Sequence, residues 1–201
     1  MIIRKLFRFE GSHVVRDCTS KRCSTSIHGH SYIVEIFLES NKLDNGGMVV
    51  DFGLLKGTVK DFVDSFDHAY SMWTKEDKEF KDFMVNNSER WVEMPVTPSA
   101  EMYSLMFYAV IKHILDQTEF NNGEKEVRLH SVRVHETATG YAEADYNDWL
   151  LLWLPNYKLS DIKISQAIKD EWKDPEMWGK ILSLEPGKKF FNPKVELKYN
   201  K

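Results

Sequence analysis

Along the first forty residues, apolar and polar positions alternate in two separate runs. Ile3, Leu6, Phe7 and Phe9 are interleaved with Arg4, Lys5 and Arg8, which predicts a strand over 2–9. A polar loop rich in Ser, Cys and basic residues follows over 11–27. From 32 to 38 the period is two: Tyr32, Val34, Ile36 and Leu38 share one face, and Ile33, Glu35 and Phe37 the other. Asn45-Gly46-Gly47 signals a turn, and 48–52 reads as a short extended run. Asp51 stands where it can cap a helix reaching Phe66, because Leu54, Leu55, Val59, Phe62, Val63 and Phe66 recur at helical spacing. Residues 75–85 suit a short helix or an insertion in a long connection. Pro98 opens a second long helix to about Leu115, with Met102, Leu105, Met106, Ala109, Val110 and Ile114 as its apolar stripe. After Asn121-Asn122-Gly123, residues 127–137 alternate as a strand, and 140–146 as its antiparallel partner. This order, strand–strand, helix, helix, strand–strand, predicts an α+β domain over 1–146: an antiparallel four-stranded sheet with two helices on one face.

Residues 147–201 form a C-terminal extension. The run from Asp148 to Pro155 is too apolar for a linker. A helix capped by Ser160 is expected over 161–172, and another over 175–182. Trp172 and Trp178 imply that the extension packs on the domain or on a neighbouring subunit.

Composition narrows the function. The chain has 201 residues, 42% hydrophobic and 29% charged, as in an ordinary globular domain. A net charge of -4 argues against a nucleic-acid partner. Residues 155–201 carry ten Lys against seven Asp or Glu, read as a solvated exterior. No run approaches the roughly 18 apolar residues of a membrane span. Two cysteines only five positions apart, Cys18 and Cys23, and no secretory pattern lead to the expectation of a reducing cytoplasm.

Candidate chemistry centres on His28-Gly29-His30. On a strand, residues two apart share a face, so two imidazoles flanking a small glycine can chelate one ion. His13, near the end of the preceding antiparallel strand, offers a third ligand. Three neutral imidazoles with an open fourth position describe a catalytic zinc site. Taken alone, the His-x-His pattern also fits two surface histidines. His113, His130 and His135 have no spacing that supports ligation and read as structural, with His130 and His135 on opposite faces of their strand.

Six short segments then occur in order: Phe9-Glu10-Gly11-Ser12-His13, Cys23 ahead of His28-Gly29-His30-Ser31-Tyr32, Gly47-Met48-Val49-Val50-Asp51-Phe52-Gly53, Asp67-His68, Pro98-Ser99-Ala100-Glu101 and Val134-His135-Glu136-Thr137. Together they make the chain resemble the 6-pyruvoyl-tetrahydropterin and 6-carboxytetrahydropterin synthase family over about three quarters of its length. The resemblance implies the tunnelling fold, whose ββααββ subunits join through their sheets into barrels, as a homohexamer of two stacked trimers with sites at subunit interfaces. It implies Zn2+ on His13, His28 and His30. It implies Cys23 as a catalytic thiolate, Asp67 and His68 as a proton-transfer pair, and Glu136 as the carboxylate that anchors the pterin ring. Thr137 and Ser99 would add hydroxyl contacts, and Glu101 reads as a structural residue at its helix start. Because neighbours in sequence seldom bond, Asp67 is expected to pair with a histidine of another subunit.

The resemblance points to a small-molecule substrate, 7,8-dihydroneopterin triphosphate. The leading expectation is conversion to 6-carboxy-5,6,7,8-tetrahydropterin, acetaldehyde and triphosphate, on the route to 7-deazaguanines and queuosine. Elimination of triphosphate to the pyruvoyl product is the runner-up. An aldolase-like cleavage and a non-catalytic zinc- and pterin-binding protein are the other readings. One departure bears on the choice. Four residues separate Cys23 from His28, where the carboxy-forming branch usually has three and the pyruvoyl-forming branch five.

Overall fold

The fold is described from a computed structural model, which covers residues 1–193 and 196. Strand β1 (Ile2–His13) runs four residues further than its hydrophobic pattern suggests. A short helix α1 (Lys21–Thr25) follows, then β2 (His28–Glu39). The two strands pair antiparallel throughout, from Ile2 opposite Glu39 to His13 opposite His28. The extended run expected over 48–52 does not form. Val49 and Val50 are instead buried as side chains on the core, and Asp51 accepts from the Gly53 N–H to cap a 3-10 turn, Phe52–Lys56. The first long helix is correspondingly short: α2 spans Thr58–Asp64.

The connection to the second half holds more sheet than expected. Strand β3 (Ala69–Trp73), helix α3 (Lys78–Asn87) and strand β4 (Trp91–Met94) form a parallel β–α–β unit. α3 packs over a small separate core of Val14, Tyr70 and Met72 through Phe80 and Met84. Helix α4 (Ala100–Asp116) matches the expected second helix, with Ser99 accepting from the Met102 N–H as its N-cap. Strand β5 (Thr118–Glu119) is brief; β6 (Arg128–Thr137) and β7 (Gly140–Asp145) make the expected hairpin.

The four expected strands do lie side by side, in the order β7-β6-β2-β1 and all antiparallel. The sheet does not stop there. β3 joins β1 in parallel at Gly11–His13, and β4 and a strand from the extension follow, making a mixed seven-stranded sheet. The period-two stripe explains the layering. Phe7 and Phe9 on β1, and Tyr32, Val34, Ile36 and Leu38 on β2, turn to the face covered by α2 and α4 and are almost fully buried.

The extension packs on the domain. It starts as α5 (Tyr146–Asp148), continues as a π-helical turn (Trp149–Trp153), and then supplies β8 (Lys163–Ile164), which pairs with β4. The helix expected over 161–172 shrinks to α6 (Gln166–Lys169), because Lys163 and Ile164 are drawn into the sheet edge. α7 (Met177–Leu182) forms as expected, and β9 (Phe190–Phe191) pairs with β5. Trp178 stacks on Phe62 with ring centroids 5.9 Å apart, and Trp172 donates its Nε1–H to Ser65 Oγ at 2.9 Å. Trp153 is 2% exposed. Trp153→Ala is therefore expected to destabilise the domain by about 3–5 kcal/mol in urea unfolding, the range for deleting a buried large aromatic. A change below about 1 kcal/mol would mean that the extension is a passenger.

On the opposite sheet face, Glu35 is buried among Arg4, Arg133 and His135, with His135 Nε2 at 2.9 Å. Burial opposes its ionisation, but His135 and Arg4 outweigh that and hold its carboxyl below the usual range. A depressed carboxyl adds stability that is complete above its unfolded value, about 4.3, and is lost as pH falls through the folded one. Glu35→Gln should thus flatten the acid limb of a urea-midpoint profile below about pH 5. An unchanged limb would show that other carboxylates govern acid unfolding.

Candidate functional site

Where β1 and β2 end, their core-facing stripe changes from aromatic to imidazole. Continuing the stripe of Phe7 and Phe9 on β1 leads to His13; continuing that of Val34 and Tyr32 on β2 leads to His30 and His28. The antiparallel register sets His13 directly opposite His28, and His30 opposite Gly11. The three ring centroids are 4.5–5.2 Å apart. One nitrogen from each ring lies within 4.8 Å of the others.

The rings are held for ligation. His13 Nδ1 lies 2.6 Å from the Pro98 carbonyl, and His28 Nδ1 lies 2.9 Å from the Ser26 carbonyl. A carbonyl only accepts, so both Nδ1 atoms carry the proton and both Nε2 atoms present a lone pair, the usual outer support of a metal-bound imidazole. Burial lowers the His13 pKa to about 4; the Pro98 contact opposes this, and His28 and His30 add to it. Burial also lowers His30, against the pull of Glu136. Both rings are neutral near pH 7 and ready to bind a cation. The donor set, geometry and protonation all fit Zn2+.

Gly29 lets the strands close up. A Cβ there would stand 2.9 Å from the Gly11 carbonyl oxygen, a backbone atom with little room to yield. Gly29→Ala should weaken zinc binding about 10–100-fold, as loss of outer support does elsewhere, in a chelator-competition titration. Unaltered affinity would mean that the strand ends part without disturbing the rings.

Glu136 faces the cluster from β6. A register irregularity between His135 and Thr137 marks a bulge at this position, and bulges re-aim side chains. Its Oε1 lies 3.7 Å from His13 Nε2 and 3.9 Å from His30 Nε2. Glu136 opens on a cleft of about 360 Å³, and its side chain is 31% exposed. Cys23, His28, Ser99, Glu101 and Thr137 line the same cleft. α1 carries the half-buried Cys23 to the cleft wall, so the four-residue spacing still delivers the thiol there. The hydroxyl oxygens of Ser99 and Thr137 already accept from the backbone N–H groups of Met102 and Gly140, so each retains its proton to offer. Glu101 stays in the first turn of α4, as expected.

Asp67 and His68 lie elsewhere. His68 lines a second cleft of about 390 Å³, together with Glu10, Gly29 and His30. The clefts flank the imidazole cluster, one bordered by His28 and the other by His30. Contrary to expectation, Asp67 bonds to its own neighbour: His68 Nδ1 lies 2.8 Å from Asp67 Oδ2. His68 adopts a φ of 52°, the left-handed region, which departs from the usual arrangement of adjacent side chains. Asp67 Oδ1 also accepts from the Glu10 N–H at 2.7 Å. Burial opposes ionisation of Asp67, but the Glu10 N–H and His68 hold its carboxyl below the usual range.

The other histidines are structural, with one correction. His130 and His135 reach Glu39 and Glu35, which share one face of β2, because a bulge at Phe37/Leu38 shifts the register between them. Sequence reasoning missed Tyr32 as part of the site. Its hydroxyl, 1% exposed, stands 3.2 and 3.3 Å from the two ring nitrogens of His13. Burial raises its pKa, with Tyr103 and Glu136 adding to the effect, so it remains a donor. Its place in the stripe two residues after His30 was the available signal.

An α+β subunit with a mixed sheet and a three-histidine cluster at the strand ends defines the structural class. The same fold occurs in an uncharacterized protein from Wolinella succinogenes, with TM-score 0.57, 19% identity and coverage of 73% of this chain and 98% of that one. It also occurs in 6-pyruvoyl tetrahydropterin synthase from Plasmodium vivax, with TM-score 0.53, 21% identity and coverage of 72% and 97%. The family model described as 6-pyruvoyl tetrahydropterin synthase matches residues 2–147, and the chain belongs to this family of enzymes. A Helicobacter pylori protein named 6-carboxy-5,6,7,8-tetrahydropterin synthase is 45% identical over 189 residues, 92% of this chain and 93% of its own. That match runs well into the extension, which the family model does not reach. Among the described residues no helix is long and apolar enough to cross a membrane.

Proposed function

We propose that the chain is a zinc-dependent lyase that converts 7,8-dihydroneopterin triphosphate to 6-carboxy-5,6,7,8-tetrahydropterin, releasing acetaldehyde and triphosphate. The observation that carries this is the convergence of three imidazoles with the Glu136 carboxylate, beside a cleft that also holds a free thiol. The carboxy branch is favoured over the pyruvoyl branch by the name of the 45% identical relative, whose match runs well into the extension.

His13, His28 and His30 would hold the zinc, which when bound supplies Lewis acidity to the substrate's side-chain hydroxyls. Glu136 accepts two parallel N–H bonds from the 2-amino and N3 positions of the pterin, and so fixes the ring beside the cluster. The Cys23 thiol gives and takes protons at the substrate side chain. His68 holds its Nδ1 proton on Asp67, which leaves Nε2 as the free base. Because Cys23 and His68 open on different clefts, a complete set is reached when a neighbouring copy brings its Asp67–His68 pair to this chain's Cys23 cleft.

The test is mass spectrometry of products from zinc-loaded protein incubated with 7,8-dihydroneopterin triphosphate. Carboxytetrahydropterin with acetaldehyde is the expected result. A pyruvoyl product would transfer the chain to the other branch. Unchanged substrate with zinc bound would leave a pterin-binding protein, or an enzyme for a different pterin.

A further inference from the structure

The extension leaves an apolar surface that the domain does not use. Within the π-helical turn and the residue after it, Trp153 points inward at 2% exposed, while Leu150, Leu151, Leu152 and Leu154 are 41, 68, 50 and 52% exposed. Four leucines exposed within five consecutive positions mark a contact site rather than scattered exposure.

The sheet indicates what covers it. β7 is an outer strand, and its outer edge has no strand partner among the described residues. β1 is joined by β3 only at Gly11–His13, so among the described residues its edge over Ile2–Arg8 is open as well. Two open edges are a template for pairing with another chain. The edges match, because β1 and β7 run in opposite directions across the four antiparallel strands. Arg4, Phe37, Ser131 and Asp145 stand level across the sheet through successive register pairs. A second copy related by rotation about an axis along the strands can therefore set its β1 antiparallel to this β7, head to tail around a ring. In that arrangement the start of one β1 lies beside the end of the neighbouring β7, where the leucines begin. Met1 and Ile2, at that start, are 70 and 50% exposed.

We propose that Leu150, Leu151, Leu152 and Leu154 are an interaction surface for a second copy of this chain, covering Met1 and Ile2 of the partner subunit and sealing the β7–β1 junction. The surface deepens the interface-site reading above, since that junction would set the spacing between one copy's Cys23 cleft and the next copy's His68. The extension would thus act as a clasp on the assembly, in addition to packing on its own domain.

Two experiments test this, and neither needs turnover, so a failed product assay leaves them readable. In the first, the mass of the full chain in solution is measured by light scattering for the wild type and for Leu151→Glu/Leu152→Glu, with circular dichroism to check folding. The wild type is expected to be a ring-sized oligomer. The variant should dissociate at concentrations at least about 100-fold higher, since two carboxylates would be buried against apolar side chains. A monomeric wild type overturns the proposal, and so does a folded variant of unchanged mass and stability to dilution. In the second, Ile2→Cys/Leu151→Cys is oxidised and run on a non-reducing gel. Cross-linked dimers and higher species absent from the parent chain support the junction. A product with no covalent link between chains overturns it, and this arm remains decisive if the glutamate variant fails to fold.

Discussion

Glu136→Gln is expected to leave zinc binding intact while weakening pterin binding about 100-fold. The amide keeps the shape of the side chain and its place opposite His13 and His30. It replaces one acceptor oxygen by an N–H that faces the donors of the ring, and it removes the charge. Loss of one charge-assisted hydrogen bond, about 2–3 kcal/mol, corresponds to that factor. The readouts are fluorescence titration of a reduced pterin and a chelator competition for zinc on the same sample. Unchanged pterin affinity would remove Glu136 as the anchor. Loss of zinc along with pterin would make it a metal ligand instead.

His13→Ala should have the opposite signature. His13 is fully buried at the end of β1, with Nδ1 held on Pro98 and Nε2 presenting its lone pair. Loss of an outer hydrogen bond to a metal-bound imidazole costs 10–100-fold in affinity, so loss of the imidazole itself should exceed roughly 100-fold. Activity should fall to background, and added zinc at high concentration should restore it in part. Zinc content by atomic emission, with circular dichroism to confirm folding, decides the matter. Stoichiometric zinc at wild-type affinity would mean that the ion is held by other groups and that the three-histidine cluster is structural. The pair of variants separates metal from pterin: one loses zinc first, the other never loses it.

Much of the site was legible locally, because its signals lie within one strand or one turn. His28 and His30 share a face through the two-residue period of a strand, and Pro98 announces the start of α4. Other parts were not. Nothing near Val49 and Val50 shows that the chain would bend there and bury them instead of extending them. β3 and β4 are short, and their pairing with β1 is a long-range event that no periodicity records. The expected helix over 161–172 failed because Ile164 gained a place beside Val92 at the sheet edge, which outweighed a weak local preference.

By itself the sequence determined which faces are apolar, where the four antiparallel strands and the long helix α4 lie, and that two imidazoles flank a glycine on one side of a strand. These are properties of neighbours within a few positions, and side-chain periodicity states them directly. Only the tertiary structure decided that His13 faces His28, since that depends on the register of two strands joined by a fourteen-residue connection. It also decided that a bulge turns Glu136 toward the rings, that His68 bends back onto Asp67, and that Cys23 and His68 open on separate clefts. Each of these follows from the packing of the whole core, where the burial of Phe9, Tyr32, Phe66 and Tyr103 fixes the strand ends and the loops close around them.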